Sequence, residues 1–487
     1  MTSLAPPTKK PGKDILAPFS FDYLLRWLIP IAIGSLIWFW PPPEGVTPEA
    51  WHLLAIFVAT IAGIIAKPLP MGAVAMIGIT MTAVTQTLTP GDALSGFANT
   101  TIWLIVIAFF ISRGFIKTGL GARIAYLFMT ALGKKSLGLS YGLVASDLVL
   151  APAIPSNTAR AGGVVFPILM SISKAYGSNA DDGTHRKLGA YLTKAAFQGT
   201  IITSAMFLTA MAANPLAVQL AADQGITITW GTWAIAALVP GIICLILIPL
   251  LLYKIYPPEI KETPAAAQIA RDKLTEMGKM KGSEWIMLGA FFLLLVLWIF
   301  GPTRLGMDAT TAALIGLAFL LLTTVLNWGD ILNERGAWDT LVWFAALVMM
   351  ATQLNKLGFI PWFSEQMGVM VEGYNWVPAF LVLSLVYFYS HYLFASNTAH
   401  VSAMYAPFLA VALVVGTPPL LAALVLAFFS NLFSSMTHYG TGPAPVLYGS
   451  GYVPMSDWWR LGLLISVINI VIWLGIGGVW WKILGMW

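Results

Sequence analysis

Long apolar segments recur along this chain from residue 26 almost to its end. Most run for about 17 to 25 residues, the length with which an α-helix crosses the core of a bilayer. A single soluble core could not bury so many segments of this kind, so the pattern predicts an all-α, polytopic membrane protein. The predicted spans are residues 26–41, 50–66, 71–88, 101–117, 188–220, 231–253, 284–302, 309–326, 339–355, 418–450 and 461–483.

Two further apolar segments, residues 137–173 and 377–413, are too long for one helix and are interrupted near their centres. If each is a re-entrant hairpin and the N-terminus is cytoplasmic, the outer loops hold only Arg304, Lys356 and Lys482, and the other basic loop residues are cytoplasmic. That separation is the one expected of membrane proteins. If either segment were an ordinary span, basic residues would lie in loops on both sides of the membrane. The chain is therefore predicted to have about 11 transmembrane helices plus two re-entrant hairpins.

The chain contains an internal repeat with an offset of 240 residues. Its centre is the sequence Ser-Asn-Thr-Ala, which occurs once in each predicted hairpin. The matched pairs are Ser156/Ser396, Asn157/Asn397, Thr158/Thr398, Ala159/Ala399, Arg160/His400, Pro167/Pro407 and Trp103/Trp343. Because the first hairpin opens from the cytoplasm and the second from outside, the halves are inverted, as in many secondary transporters whose sites lie between the repeats.

The hairpin tips are the predicted substrate site. Irregular backbone at membrane depth is tolerated only in protein or around a cavity, and short polar side chains can cap the adjoining half-helices. The freed N–H groups and the half-helix dipoles then favour an anion, while Asn and backbone carbonyls could coordinate Na+. An interrupted span follows each hairpin. Residues 209–215 interrupt the first of these spans and residues 437–443 the second, and they form the first and second unwound segments. The predicted substrate ligands are Ser156, Asn157, Thr158, Arg160, Asn214, Ser396, Asn397, Thr398, His400 and Thr441.

Arg160 and His400 are ionisable residues inside apolar segments, where a functional role is the default expectation. Two basic groups, one from each half, suit a substrate with a carboxylate at each end. An alternative for Arg160 is an ion pair with Asp147, which need not exclude substrate contact. Lys194 is expected to extend to the membrane interface, and His391 and His438 are interpreted as buried, hydrogen-bonded histidines rather than ligands.

Composition agrees with this interpretation: 58% of the residues are hydrophobic and 10% are charged. The net charge of +5 is scattered over short loops, so no nucleic-acid partner is expected, and the single Cys244 excludes a disulfide framework. The segment 138–142 matches a nucleophile-elbow pattern without its structural context, so the protein is not expected to be an enzyme. An ion channel would need a continuous polar pore. The first 25 residues resemble no leader, which favours a bacterial inner membrane.

Several longer motifs resemble the divalent anion/sodium symporter family, in particular its 2-oxoglutarate/malate translocators and bacterial citrate/succinate-type antiporters. They are residues 117–123, 155–160, 257–261, 337–343, 391–400 and 447–452. The resemblance implies a homodimer in which a scaffold surrounds a mobile transport domain that moves as an elevator. The implied division is a tail (1–25), scaffold helices (26–135 and 284–376), transport elements (136–253 and 377–487) and a cytoplasmic linker (254–283). The Ala-rich centre of the linker suggests a helix beside the membrane, and a solvated linker between the two halves is the alternative.

The resemblance also implies Na+ sites around Asn157, Ala212, Asn397 and Gly440. Small residues at Ala212 and Ala213, and Pro152, depart from the sodium-coupled pattern and put the first site in question. Since Arg160 supplies a permanent positive charge, we expect exchange of C4–C5 dicarboxylates rather than sodium symport. Na+-coupled uptake of dicarboxylates or citrate is the alternative, and no cofactor other than Na+ is expected.

Overall fold

The protein is described here by a computed structural model that covers residues 21–371, 373 and 375–487. The prediction of a cytoplasmic tail at residues 1–25 lies mostly outside these described residues. Within them the chain is helical throughout, and the only β-type pairing is an isolated bridge between Lys135 and Glu262. The predicted all-α class is confirmed.

The first half of the chain forms twelve α-helices among the described residues. They are α1 (Phe21–Phe39), α2 (Pro48–Ala66), α3 (Met71–Val84), α4 (Pro90–Ala93), α5 (Thr100–Thr118), α6 (Leu120–Leu132), α7 (Ser136–Leu150), α8 (Asn157–Arg160), α9 (Phe166–Ala175), α10 (Gly189–Met206), α11 (Ala213–Ala222) and α12 (Trp230–Ile255). Short 3₁₀ segments lie at Ser95–Ala98, His185–Lys187 and Leu208–Ala210, and a π-helical segment at Ala161–Val165 joins α8 to α9.

A linker helix and the second half follow. The helices are α13 (Pro264–Met277), α14 (Gly282–Arg304), α15 (Ala309–Leu322), α16 (Trp328–Leu332), α17 (Arg335–Lys356), α18 (Phe359–Val371), α19 (Trp376–Ser390), α20 (Asn397–His400), α21 (Ala406–Val414), α22 (Pro419–Leu432), α23 (Pro443–Tyr448), α24 (Met455–Val471) and α25 (Gly478–Ile483). The 3₁₀ segments here are His391–Leu393 and Phe433–Ser435, and the π-helical segments are Val401–Tyr405 and Ile472–Gly477.

Eight helical segments in the described part of the chain are long and apolar enough to cross a membrane. Several shorter apolar helices, including α3, α15 and α22, coincide with predicted spans, so the number of crossings stays a prediction. Helices α6 and α18 lie outside the predicted spans. Each has 13 residues, too few to give the signal of a membrane-spanning segment.

The internal repeat extends to the element boundaries. Helices α7 and α19 are displaced by the same 240 residues as the sequence motif, and so are α8 and α20 and the π-helical segments that follow them. Both predicted hairpins therefore have an apolar first arm, an irregular tip that ends at a Ser, and a second arm that starts at Asn-Thr-Ala. The structure confirms two broken helical segments, and their return to the same membrane side stays a prediction.

The linker forms the helix that its Ala-rich centre predicts. The buried side of α13 consists of Ala266, Ala267 and Ala270, and α13 packs against α6. Beside it, Arg123 of α6 donates from Nε to Glu284 of α14 over 2.6 Å, which joins the two halves at the end of the linker. Small side chains on α13 permit the close approach to α6 that this packing requires.

Helix α10 lies at the centre of the packed unit that contains both hairpins. Every residue from Gly189 to Met206 is buried. The helix packs against α7, α12 and α22, so it contacts the first hairpin and also the second half of the chain. A helix that is buried all round must satisfy its polar side chains inside the protein. The contacts made by those side chains define the surroundings of the candidate site.

Candidate functional site

The first hairpin tip is built by a helix N-cap. The Ser156 hydroxyl accepts a hydrogen bond from the Ala159 N–H over 3.1 Å, which fixes the start of α8. The helix then continues through its π-helical segment into α9. The N–H groups of Asn157 and Thr158 precede the first intrahelical bonds, so they can bind an anion. Thr158 is exposed while Asn157 is buried, which places an accessible face on this tip.

The first tip contacts the unwound segment of the opposite half. Asn157 Nδ2 donates to Thr441 Oγ1 over 3.2 Å, a contact between residues 284 positions apart. Thr158 packs directly against Gly442, which is also exposed. Three of the predicted substrate ligands therefore lie together. They combine hydroxyl groups and free backbone N–H groups beside the start of α23, a donor set that suits carboxylate oxygens.

The second tip has the same local construction. Ser396 caps α20 through a 3.5 Å contact with the Ala399 N–H. Asn397 Nδ2 donates to the Ser430 carbonyl and to Ser434 Oγ, each over 2.9 Å. Ser396 and Thr398 are partly exposed while Asn397 is buried. The two Asn side chains thus hold the tips in place, and the flanking Ser and Thr groups remain accessible.

Asn214 connects the two halves rather than facing an open surface. It is fully buried, and its Nδ2 donates to the carbonyls of Ser204 and Phe207 over 2.8 and 3.0 Å, at the broken end of α10. Its Oδ1 accepts from Asn431 Nδ2 over 2.8 Å. Because protein groups occupy both ends of this amide, the geometry gives no support to the prediction that Asn214 binds substrate.

Arg160 is the most fully bonded residue near the first tip. Its Nε donates to Asp147 Oδ1 over 3.1 Å, its Nη1 to the Ile154 and Ala210 carbonyls, and its Nη2 to Ser204 Oγ over 2.9 Å. The side chain is fully buried. The ion pair that the sequence analysis kept as an alternative is therefore present, and four of the five guanidinium N–H groups have protein partners. This arrangement presents no free face of Arg160 to a substrate.

His400 is equally enclosed in the second half. Its Nδ1 lies 3.2 Å from His391 Nδ1, and its Nε2 lies 3.2 Å from Ser390 Oγ. His391 Nε2 lies 3.0 Å from the Gly440 carbonyl, which can only accept, so this nitrogen carries a proton. The pair can be neutral if His400 donates from Nδ1 to His391, but Ser390 has one hydroxyl proton, which either His400 Nε2 or the Tyr387 carbonyl accepts. His391 is buried and hydrogen-bonded as predicted, whereas His400 is packed between rings and not open to substrate.

The Na+ sites stay a prediction, and protein donors bind several carbonyl groups near them. A Na+ ion between the first tip and the first unwound segment would need their carbonyl oxygens, but those of Ile154 and Ala210 already accept from Arg160. On the second side the Gly440 carbonyl accepts from His391. Asn157 and Asn397 direct their amide N–H groups to protein acceptors.

Several site residues were missed from sequence. Asn431 and Ser434 lie just before the second unwound segment, and Ser204 lies just before the first. They hold Asn214, Asn397 and Arg160 in place. The available signal was a polar residue inside an apolar span, which by itself marks a functional or structural contact.

The prediction that Lys194 extends to the membrane interface is wrong. Its side chain is fully buried, and Nζ donates to the Trp458 carbonyl over 2.9 Å. Its position near the start of a predicted span suggested an exit to the interface. The packing of α24 and the second half over α10 covers that end of the helix instead.

Gly442 is predicted to be required for contact between the first tip and the second unwound segment. A Cβ at this position would overlap Thr158 Oγ1, so Gly442→Ala should separate Thr158 from the segment and lower substrate uptake by about tenfold, the effect of about 1.4 kcal/mol. In the double variant Gly442→Ala/Thr158→Ser the hydroxyl that the new Cβ would meet is kept, but without the γ-methyl group it can rotate to another rotamer, so part of the uptake should recover. Initial uptake rates in proteoliposomes would test this. Wild-type uptake by Gly442→Ala would contradict the expected overlap.

Comparison with known proteins places these features in a wider context. The family model described as "Sodium:sulfate symporter transmembrane region" matches residues 22–487. The chain is 62% identical to the putative malate transporter YflS of Bacillus subtilis, covering 95% of this chain and 97% of that protein. It is 55% identical to the chloroplastic dicarboxylate transporter 1 of Spinacia oleracea, covering 94% of this chain and 81% of that protein. The crystal structure of the Alcanivorax borkumensis YdaH transporter matches with a TM-score of 0.60 and 12% identity, covering 96% and 97% of the chains. At that identity the likeness concerns the fold alone.

Proposed function

This chain belongs to the family of sodium:sulfate symporter transmembrane regions, and from that premise we propose that it transports C4–C5 dicarboxylate anions across a bacterial inner membrane. The observation that carries the proposal is the pair of Ser-Asn-Thr tips, which present hydroxyl and N–H groups, the first of them beside Thr441 and Gly442. Two such tips suit an anion with a carboxylate at each end. The names of the relatives, a malate transporter and a dicarboxylate transporter, favour the same substrate class.

The finer proposal is exchange of one dicarboxylate for another without Na+. Its support is the hydrogen bonding of Arg160 and His391 to the carbonyls that a Na+ ion would need. At these positions an N–H group of the protein binds carbonyls that would otherwise be free for the ion that a symporter brings with each substrate. The charge argument from sequence must change, however, because Asp147 neutralises Arg160. Na+-coupled symport remains the second candidate, favoured by the description of the family.

We also propose an elevator mechanism. The mobile unit would comprise residues 136–253 and 377–487, and the scaffold residues 26–135 and 284–376. Cross-half contacts support treating the mobile unit as one body: Asn157 bonds to Thr441, Asn214 bonds to Asn431, and α11 packs against the second hairpin. A homodimer with cytoplasmic N-termini completes the proposal and rests on family resemblance and loop charge.

Uptake of labelled malate or 2-oxoglutarate into proteoliposomes tests the proposed function. We expect fast uptake into vesicles preloaded with unlabelled dicarboxylate, slow uptake into empty vesicles, and no change when K+ replaces Na+. In an exchanger the carrier crosses in both directions with substrate bound, so labelled uptake depends on dicarboxylate inside the vesicles. A panel of malate, 2-oxoglutarate, succinate, fumarate, citrate and tartrate would identify the preferred substrate. Strong Na+-dependent uptake into empty vesicles would favour symport, and no uptake of any of these anions would contradict the proposed function.

A further inference from the structure

The second unwound segment is held from both hairpins at two consecutive residues. From the first tip, Asn157 Nδ2 donates to Thr441 Oγ1 over 3.2 Å. From the second hairpin, His391 Nε2 donates to the Gly440 carbonyl over 3.0 Å. That carbonyl belongs to the peptide unit that ends at the Thr441 Cα, and a peptide unit is planar and stiff. A displacement at either contact is therefore transmitted to the other.

A second histidine continues this path to the second tip. His391 Nδ1 lies 3.2 Å from His400 Nδ1, and His400 belongs to α20, where its backbone N–H donates to the Ser396 carbonyl over 3.1 Å. Because His391 Nε2 carries the proton that the Gly440 carbonyl accepts, its Nδ1 accepts from His400 when both rings are neutral. Three side-chain hydrogen bonds and one peptide unit thus connect the first tip to the second.

The packing around the histidine pair fixes the length of this path. Both side chains are buried, and the His391 ring is stacked on Phe433 with the ring centroids 3.7 Å apart. The His400 ring is stacked on Phe433 and on Phe394, with centroids 4.6 Å apart in each case. A rigid ring in a close-packed interior cannot leave its rotamer without displacing its neighbours. The two tips are therefore held at one spacing.

The contact between the pair and the second unwound segment requires a glycine. A Cβ at Gly440 would lie 2.7 Å from His391 Nε2, so a larger residue would push the ring away from the backbone. Asn397 anchors the second tip separately, through Ser430 and Ser434, which precede the unwound segment. The histidine pair adds a second point of attachment, at the residue next to the one that the first tip holds.

We propose that the His391–His400 pair sets the spacing between the two tips and thereby the length of the dicarboxylate that the carrier accepts. The proposal rests on the proposed function, in which each tip binds one carboxylate group. Every additional methylene group moves the two carboxylate groups further apart. Tips held at one spacing discriminate against a longer chain, because it leaves donors of one tip unpaired. The histidines act through the tips, so they are positioning residues.

The test measures how well unbranched dicarboxylates of increasing length inhibit the exchange of labelled malate in loaded proteoliposomes. In the wild type, succinate and glutarate should inhibit at much lower concentrations than adipate. His391→Phe keeps a ring that stacks on Phe433 and removes both ring nitrogens. It should lower the ratio of the inhibition constants of adipate and succinate by about tenfold, equivalent to about 1.4 kcal/mol. His391→Gln can offer an amide N–H to the Gly440 carbonyl and should retain most of the wild-type ratio.

Thr441→Val breaks the same path at its other end and leaves the histidines unchanged. It should lower the ratio as His391→Phe does. The double variant should lower it no further than the larger single change, because residues of one hydrogen-bond network are not additive. His185→Phe is the control, since His185 lies in a partly exposed 3₁₀ segment, and it should keep the wild-type ratio.

Two results would overturn the proposal. One is a wild-type ratio in Thr441→Val and His391→Phe proteins that are monodisperse and still exchange malate; if His391→Phe does not fold, Thr441→Val alone decides. The other is an equal loss of length selection in His391→Gln and His391→Phe, which would assign the histidine to packing alone. Failure of the proposed function is distinct from both, because it would appear as absent dicarboxylate exchange in the wild-type protein.

Discussion

Replacement of Asp147 with leucine is expected to lower the free energy of unfolding by about 3–5 kcal/mol, because it leaves a buried cation without its partner. Asp147 is buried, and its two oxygens accept from Arg160 and from Thr203. Leucine is branched at the same carbon and is larger than aspartate, so the substitution leaves no cavity and lost charge compensation is its main effect. The loss of stability is measured by heating the purified protein in detergent and recording the fraction that remains monodisperse at each temperature.

Glu276→Leu is the matched control for this prediction. Glu276 pairs with Lys273 on the exposed side of α13, and both side chains are well exposed. An exposed pair of this kind contributes about 0–1 kcal/mol, so the control should unfold near the wild-type temperature. The double variant Asp147→Leu/Arg160→Met should recover part of the lost stability, because it removes the uncompensated charge. A single Asp147→Leu variant as stable as the wild type would show that the ion pair does not stabilise the first hairpin.

The Arg160–Asp147 ion pair also changes the interpretation of an Arg160→Ala variant. From sequence, that substitution is expected to remove transport while assembly persists. The structure adds that Arg160 donates to two backbone carbonyls and to Ser204. Loss of transport in Arg160→Ala would therefore reflect both the site and the fold, and only the comparison with the double variant separates the two contributions.

Asn397→Ala and Asn157→Ala are each expected to lower dicarboxylate exchange by about tenfold or more. Asn397 loses two hydrogen bonds that hold the second tip, and Asn157 loses its bond to Thr441. Each such bond contributes about 0.5–1.5 kcal/mol, and the tips lose the positions that direct their N–H groups to the substrate. Initial rates of exchange in loaded proteoliposomes measure the effect.

The control is Asn179→Ala. Asn179 lies in an exposed loop, where its Nδ2 donates to Asp182 over 2.9 Å, so the same loss of an amide occurs away from the site. Exchange by this variant should match the wild type. If both tip variants also transported at the wild-type rate, the Ser-Asn-Thr tips would not be the substrate site.

The tips illustrate what could be predicted from one sequence and what could not. The repeat, the broken segments and the caps at Ser156 and Ser396 depend on neighbours a few residues away, and the structure contains them at the predicted places. The pairing of Asn157 with Thr441 joins residues 284 positions apart, and local periodicity contains no information about such a contact. The short helices α6 and α18 were missed because 13 residues do not give a membrane-spanning signal.

The sequence by itself determined the class of this protein, because apolar segments of bilayer length leave a chain few other folds. It also determined where the two tips lie. The same polar residues interrupt two apolar segments that are 240 positions apart, and a repeated structural feature explains both interruptions. Only the tertiary structure showed which buried charged side chains are paired and which are covered by other helices. Asp147 neutralises Arg160, and α24 covers Lys194, which sequence placed at the interface. The physical reason is that the net charge of a site depends on which buried groups are in contact. Packing between segments that are distant in the sequence determines those contacts.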